Sequence, residues 1–112
     1  EVLRQFARLL EGSLRQADIL CRWGGEEFVV LLKDTDAGQG HRVAEKIRQH
    51  TEQSGFMFDE TRLSLTTSIG VTGLSDSDTL RSLIARADQA LYRAKQSGRN
   101  RVCSEPASPA NA

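Results

Sequence analysis

The sequence has few cysteines, no net charge and no long apolar run. Cys21 and Cys103 are the two cysteines of 112 residues, and they form no CxxC pair, which argues against a zinc site and favours reduced thiols in the cytoplasm. Fifteen basic residues balance fifteen acidic ones, so no overall field attracts a nucleic acid polymer or an anionic membrane. No stretch of about 18 apolar residues is present, so this segment is not expected to contact or span a membrane.

Alternating helical and strand patterns are present along the chain, and they predict one small α/β (α+β) domain with a sheet flanked by helices. Apolar residues at helical spacing, short apolar runs and turn residues predict the following elements: helix 2–16, strand 19–23, strand 28–32, helix 41–53, strand 63–72, helix 79–97 and an edge strand 101–103. Residues 34–40 are interpreted as a loop. We place the domain at residues 1–103 and expect a disordered tail at 104–112, which is rich in small residues and proline.

Two glycines and two carboxylates precede the second strand in the stretch RWGGEEF. Gly24 and Gly25 can adopt a tight turn and leave backbone amides bare, so that a nucleotide phosphate can approach closely. Glu26 and Glu27 point to opposite sides of a regular strand, so one of them faces a ligand, and carboxylates are good ligands for Mg²⁺. The alternative is a surface hairpin turn in which the glutamates only confer solubility.

The last predicted helix carries a polar stripe that ends in two cations. Asp88, Tyr92, Lys95 and Arg99 share one side of the helix at 100° per residue, away from the apolar stripe. Lys95 and Arg99 can therefore bind the β and γ phosphates of a nucleotide. Alternatively, they only offset the dipole at the end of the helix.

Three motifs in this sequence together resemble the GGDEF domain family, the diguanylate cyclases. They are RWGGEEF, followed by an apolar strand, then LTTSIGVT, and then ADQALYRAKQSGRNRV. The resemblance runs from Glu1 to about Val102 and covers the C-terminal two-thirds of such a domain. It implies a palm-like, mixed and mostly antiparallel sheet of the kind found in nucleotide polymerases and adenylyl cyclases.

The resemblance also implies a reaction, in which a homodimer condenses two GTP molecules into cyclic di-GMP. By this resemblance Glu26 binds Mg²⁺ (or Mn²⁺) and accepts the proton of the attacking 3′-hydroxyl, while Glu27 has either a structural or a substrate-orienting role. Gly24 and Gly25 allow GTP to lie close to the backbone. Lys95 and Arg99 contact its phosphates.

An RxxD motif precedes the glycine pair by five residues, as in the inhibitory product site of the family. Arg15 carries a planar guanidinium suited to guanine, and Asp18 can accept hydrogen bonds from the base. Lys46, on the following helix, lies near the family's auxiliary basic position. The alternative for Arg15 and Asp18 is an i, i+3 ion pair at a helix end.

The family's first strand and helix, with a metal-binding aspartate and the guanine-binding Asn and Asp, have no counterpart in this sequence. We therefore expect that the chain is cut from a longer cyclase, which can be membrane-tethered, and that it has little activity alone. Two other hypotheses stay open: a silent module that binds cyclic di-GMP or GTP, and a fragment that serves only dimerisation.

Overall fold

The computed structural model describes residues 2–15, 18–22 and 27–106, with the side chains of Cys21 and Arg22 left out. Within these ranges three helices and six short strands are mixed along the sequence, as an α/β class requires. The helices are α1 (Val2–Gly12), α2 (Ala37–Gln53) and α3 (Leu80–Gln96). The strands are β1 (Ile19–Arg22), β2 (Phe28–Leu31), β3 (Gly55–Phe58), β4 (Thr61–Ser64), β5 (Ile69–Thr72) and β6 (Val102–Glu105).

The strands form three pairs in the described part of the chain. β1 with β2 and β3 with β4 are antiparallel, whereas β5 with β6 is parallel, which agrees with the expected mixed and mostly antiparallel arrangement. The continuous apolar run of β2 is typical of a strand that is covered on both faces, but this expectation is wrong for Leu31, which is exposed. Among the described residues, β2 pairs with β1.

α2 begins four residues earlier than predicted. Asp36 accepts a hydrogen bond from the amide of Gln39 at 2.8 Å, and the Gln39 side chain accepts one from the amide of Asp36 at 3.1 Å, which forms a capping box. Gly40, interpreted as a loop residue, is buried in the helix, and a Cβ there would lie 3.4 Å from Val71. The glycines of this segment therefore allow close packing instead of breaking the helix.

The β3–β4 hairpin was not predicted, and the single strand expected at 63–72 is in fact two strands separated by residues 65–68. Asp59 and Glu60 connect β3 to β4 with φ values of 47° and 67°. Two consecutive residues with positive φ are typical of a type I′ turn, which usually contains Asn or Gly. Because neither occurs here, the residue pattern that usually marks such a hairpin is absent from the sequence.

α3 packs on the β5–β6 pair, and its buried face differs from the predicted stripe. Ala90 and Ala94 are fully buried, and Arg86 is buried as well, whereas Leu80, which the apolar spacing of the helix predicts in the core, is 57% exposed. Gly70 of β5 lies directly under the helix: a Cβ there would lie 2.3 Å from the Ala87 carbonyl oxygen and 2.4 Å from the Leu91 nitrogen. The strand and the helix therefore approach each other closely at this glycine.

The chain continues as strand further than predicted at its end. β6 runs to Glu105, so Ser104 and Glu105, which were expected in a disordered tail, pair with Val71 and Thr72 of β5. Their side chains and backbone also contact the helices: Ser104 lies 2.5 Å from Nδ1 of His41, and its carbonyl accepts from Arg93 at 2.6 Å. Residues 107–112 lie outside the described residues.

Candidate functional site

The connection between β1 and β2 carries the glycine and glutamate motif. Arg22 pairs with Phe28 in the register of the two strands, so residues 23–27 join them. Gly24, Gly25 and Glu26 lie outside the described residues, and Glu27, next to Phe28, is exposed to solvent. An edge-to-face contact between the rings of Phe6 and Phe28, with centroids 5.6 Å apart, anchors the second strand on α1 directly after this connection.

The end of α3 presents the two predicted phosphate ligands in different ways. Lys95 is an exposed residue of the last helical turn, on the same side as exposed Asp88 and Tyr92. Arg99 does not continue this helical stripe, because α3 ends at Gln96 and Gly98 turns the chain with a φ of 128°. The stripe prediction is therefore wrong for Arg99, which is nevertheless exposed and four residues from Lys95.

Some cationic side chains of α3 and of the turn that follows it have protein partners, and others do not. Arg86 donates two hydrogen bonds to Asp78, and Arg93 forms an ion pair with Glu105. Within the described part of the chain, the side chains of Lys95 and Arg99 make no hydrogen bond or salt bridge. Among the described residues, the two cations for which a phosphate ligand was predicted thus have no partner, although Arg93 of the same helical turn as Lys95 is paired.

The RxxD motif is folded into a compact hydrogen-bonded unit. The Asp18 carboxylate is 2% exposed, and it accepts from the Arg15 amide at 2.8 Å, from the Arg15 guanidinium at 3.3 Å and from the Lys33 amide at 3.2 Å. Arg15 also donates to the Lys33 carbonyl at 2.6 Å and to Thr35 Oγ1 at 2.8 Å. The i, i+3 ion pair considered as an alternative is therefore present, three residues beyond the end of α1.

These contacts give the two residues of the motif different roles. The Arg15 amide, and then the Arg15 guanidinium and the Lys33 amide, lower the pKa of Asp18, although burial acts in the opposite direction. Asp18 is an anchor that ties the chain before β1 to the chain after β2. Arg15, whose side chain is 61% exposed, is the member that can reach a ligand.

A cavity of about 230 Å³ adjoins the RxxD unit, and Arg15, Asp18, Gln39 and Val43 are among its lining residues. Lys46 is exposed on α2, one turn beyond Val43. Arg15 and Asp18 therefore line the cavity from the segment before β1, whereas Lys46 lies on α2 and is not among the lining residues. Sequence reasoning missed Lys33 and Thr35, since neither a backbone carbonyl nor a lone threonine leaves a recognisable signal.

Metal ligands were predicted at Glu26, with Glu27 beside it. In the ranges that the structure describes, no three His, Cys, Asp or Glu side chains gather in a way that could hold a metal ion. Exposed Glu27 shows that the strand connection offers carboxylate oxygen to solvent, and such hard oxygen donors suit Mg²⁺. Within the same ranges, none of the helices combines the length and apolar character needed to cross a bilayer.

Comparisons with known proteins bear on this arrangement. The family model described as "Diguanylate cyclase, GGDEF domain" matches residues 1–101. Diguanylate cyclase A of Treponema denticola is 43% identical over 102 residues, which cover 90% of this chain and 28% of that protein. Response regulator PleD of Caulobacter vibrioides is 46% identical over 110 residues, which cover 96% of this chain and 24% of that protein.

Solved structures agree with the sequence comparison. The coiled coil and GGDEF domain of DgcB from Caulobacter crescentus, in complex with c-di-GMP, superposes with a TM-score of 0.85 at 26% identity, and the match covers 93% of this chain and 56% of that one. The chain spans less than a third of the length of the two curated relatives. It belongs to the GGDEF domain family, the family of the diguanylate cyclases.

Proposed function

We propose that the protein carrying this chain is a diguanylate cyclase that condenses two GTP molecules into cyclic di-GMP and releases two pyrophosphates. The observation that carries the proposal is that Lys95 and Arg99 stay unengaged among the described residues, in a GGDEF domain whose strand connection reads GGEEF. Cations without a protein partner, a glycine pair and two neighbouring carboxylates are the kinds of group that can bind a metal-bound triphosphate.

Each residue has a defined task in this proposal. Gly24 and Gly25 leave room for the phosphates of GTP, and Lys95 and Arg99 bind the β and γ phosphates, which leave as pyrophosphate. Glu26 holds Mg²⁺ or Mn²⁺ and accepts the proton of the attacking 3′-hydroxyl, while Glu27 orients the substrate. The bound metal supplies Lewis-acid stabilisation of the charge at phosphorus.

The bonds that form and break require two domains. The 3′-oxygen of one GTP forms a bond to the α-phosphorus of the other, and the bond from that phosphorus to the bridging oxygen of pyrophosphate breaks. Repetition of this step with the roles exchanged closes the cyclic product. Since each domain presents one GTP, two domains must face each other in a homodimer.

Product inhibition is part of the proposal. Arg15 offers a planar guanidinium whose orientation is fixed by Asp18, Lys33 and Thr35, and a preoriented fork is suited to the O6 and N7 edge of guanine. Lys46 provides a second positive charge nearby. Cyclic di-GMP that binds there would restrain the enzyme that made it.

The test uses the full-length protein with GTP and Mg²⁺, and cyclic di-GMP is quantified by chromatography and mass spectrometry. The wild type should form the product, and Glu26→Gln should abolish it without unfolding the protein. Glu11→Gln, at an exposed site on α1, removes the same charge elsewhere and should keep full activity. A wild-type protein that forms no cyclic di-GMP under these conditions would contradict the proposal.

The second candidate is a catalytically silent module that binds cyclic di-GMP. It is favoured by the RxxD unit, which is assembled in the structure and adjoins a cavity. The two candidates differ in turnover: the silent module would bind cyclic di-GMP in calorimetry, lose affinity on Arg15→Ala, and form no product from GTP.

A further inference from the structure

The chain takes an uncommon backbone conformation directly after α3, where Arg99 lies. Gly98, Arg99 and Asn100 are three consecutive residues with positive φ, at 128°, 59° and 47°. Glycine adopts such values freely and asparagine tolerates them, but for arginine they are unfavourable. The Arg99 amide donates to the Ala94 carbonyl at 3.0 Å, which closes the helix end. Arg99 is therefore held in a conformation that it would not adopt by itself.

Asn100 ties this turn to α2 through both ends of its side-chain amide. Its Nδ2 donates to Oε2 of Glu52 at 2.7 Å, and its Oδ1 accepts from Arg48 at 3.0 Å. Its backbone amide donates to Oγ of Ser68 at 3.2 Å. Contacts on two sides, to α2 and to the segment before β5, restrict both the position and the rotation of the residue that follows Arg99.

The partners on α2 are themselves held in place. The Arg48 side chain is 16% exposed, and it forms ion pairs with Glu45 at 2.5 Å and with Glu52 at 3.5 Å. Each of the three residues Arg48, Glu52 and Asn100 thus contacts the other two, and we call this group the α2 clamp. A clamp made of charged and amide groups with defined directions holds a backbone more precisely than apolar packing does.

A second brace acts on the turn from its other side. Arg101 donates from Nε to the Arg99 carbonyl at 3.2 Å, and its guanidinium covers Gly98, where a Cβ would lie 2.6 Å away. Arg99 itself remains exposed, with its guanidinium free of partners among the described residues. Both backbone polar groups of Arg99 are thus hydrogen-bonded, its amide to Ala94 and its carbonyl to Arg101, while its guanidinium is free to bind a ligand.

We infer that Asn100, through the α2 clamp, is a positioning residue that presents Arg99 to the phosphates of GTP. This inference rests on the proposed function and adds to it a residue that touches no substrate. A site must be held within a fraction of an ångström for its groups to bind productively. Without the clamp, the turn can relax to more favourable φ values, and the Arg99 guanidinium would leave its position.

The test is a double-mutant cycle in the full-length protein, with KM for GTP and kcat measured for each variant. Arg99→Ala should raise KM about tenfold or more, because it removes a charge-assisted hydrogen bond to phosphate. Asn100→Gly, which keeps the positive φ accessible but removes the side-chain contacts, should raise KM by a smaller factor. In the Arg99→Ala background, Asn100→Gly should change KM no further, because no guanidinium remains to be positioned.

A conservative variant and a control separate positioning from general stability. Glu52→Gln keeps an oxygen that can accept from Nδ2 of Asn100 but removes the charge that strengthens this hydrogen bond, so its KM should lie between those of wild type and Asn100→Gly. Arg93→Ala removes contacts with Glu105 and the Ser104 carbonyl at the same helix end, outside the clamp. It should lower the melting temperature without a change in KM.

The outcomes distinguish the two proposals. If the wild type forms no cyclic di-GMP, the proposed function fails, and the inference fails with it. If the wild type is active, an unchanged KM for GTP in either Asn100→Gly or Arg99→Ala overturns the inference alone. The inference is also overturned if the increase in KM of the double variant equals the product of the increases in the two single variants. Multiplied effects would mean that Asn100 stabilises the domain without acting through Arg99.

Discussion

The guanidinium of Arg86 and the carboxylate of Asp78 form a buried, two-pronged ion pair, with N–O distances of 2.8 Å and 2.6 Å. The two side chains are 9% and 3% exposed. Arg86 also donates to Thr72 Oγ1 at 2.8 Å and to the Gly73 carbonyl at 2.5 Å, while Asp78 accepts from Ser75 and Ser82. This pair fixes the start of α3 to the end of β5.

Neutralisation of Asp78 should destabilise the domain in a pH-dependent way. The Arg86 guanidinium, and then the Ser75 amide and the Ser82 hydroxyl, hold the pKa of Asp78 far below its usual range. Since the folded pKa is lower than the unfolded one, the stabilisation is complete above about pH 4 and is lost as the pH falls further. Asp78→Asn should therefore melt at a lower temperature than wild type at pH 7, and this difference should shrink below about pH 4.

Asp76→Asn is the matched control, because Asp76 is exposed two residues away on the same loop. Thermal unfolding of the full-length protein, followed by circular dichroism from pH 3 to pH 8, provides the measurement. Equal melting temperatures for Asp78→Asn and wild type at pH 7 would show that the ion pair makes no net contribution to the stability of the folded domain.

A methyl group at Gly70 should be poorly tolerated. The nearest atoms are the Ala87 carbonyl oxygen and the Leu91 nitrogen, which belong to the backbone of α3 and cannot rotate away. Gly70→Ala should therefore push α3 from the β5–β6 pair and cost about 1–3 kcal/mol of the free energy of unfolding. Gly12→Ala, at a helix end with no atom within 4 Å of the added carbon, should stay within about 0.5 kcal/mol of wild type. Denaturant titration measures the free energy of unfolding of the two variants, and an equal decrease in both would contradict the close packing at Gly70.

Removal of Lys95 should impair GTP binding without unfolding the domain. Lys95 is exposed and makes no contact through its charge within the described residues, so Lys95→Ala should leave the melting temperature nearly unchanged. If it binds phosphate, KM for GTP should rise about tenfold or more. Arg81→Ala, which removes an exposed cation from the first turn of the same helix, controls for net charge. A similar rise in KM for Arg81→Ala would point to general electrostatics instead of a specific contact.

The two residues of the RxxD motif should respond differently to substitution. Arg15→Ala should abolish inhibition by cyclic di-GMP and leave the fold intact, because the Arg15 amide and the Lys33 amide still hold Asp18. Asp18→Ala should lower the melting temperature as well, because it leaves these two amides without their acceptor. Inhibition curves and thermal unfolding of the full-length protein separate the effects. Equal melting temperatures for wild type and Asp18→Ala would disprove the anchoring role.

Local signals in the sequence were sufficient for the presence of the three described helices and for the family, although α1 ends four residues earlier than predicted and α2 begins four residues earlier. Apolar spacing located α3 to within one residue at each end, since this feature acts over a few turns of the helix. The GGEEF motif and the polar tip of α3 were recognisable because residue types and spacing are properties of the sequence itself. The β3–β4 hairpin was missed because its turn, Asp59–Glu60, has neither the glycine nor the asparagine that usually marks two consecutive residues with positive φ.

The sequence by itself determined the fold class, the family and the inventory of charged groups. Only the tertiary structure decided which of those groups contact one another: Arg86 pairs with Asp78, Arg15 contacts Asp18 and the Lys33 carbonyl while its side chain stays exposed, and Arg48 contacts Asn100, 52 residues away. The physical reason is that a hydrogen bond depends on the final distance between two groups, which separation along the chain does not set. Lys95 and Arg99 stand out as available only after the partners of their neighbours are known.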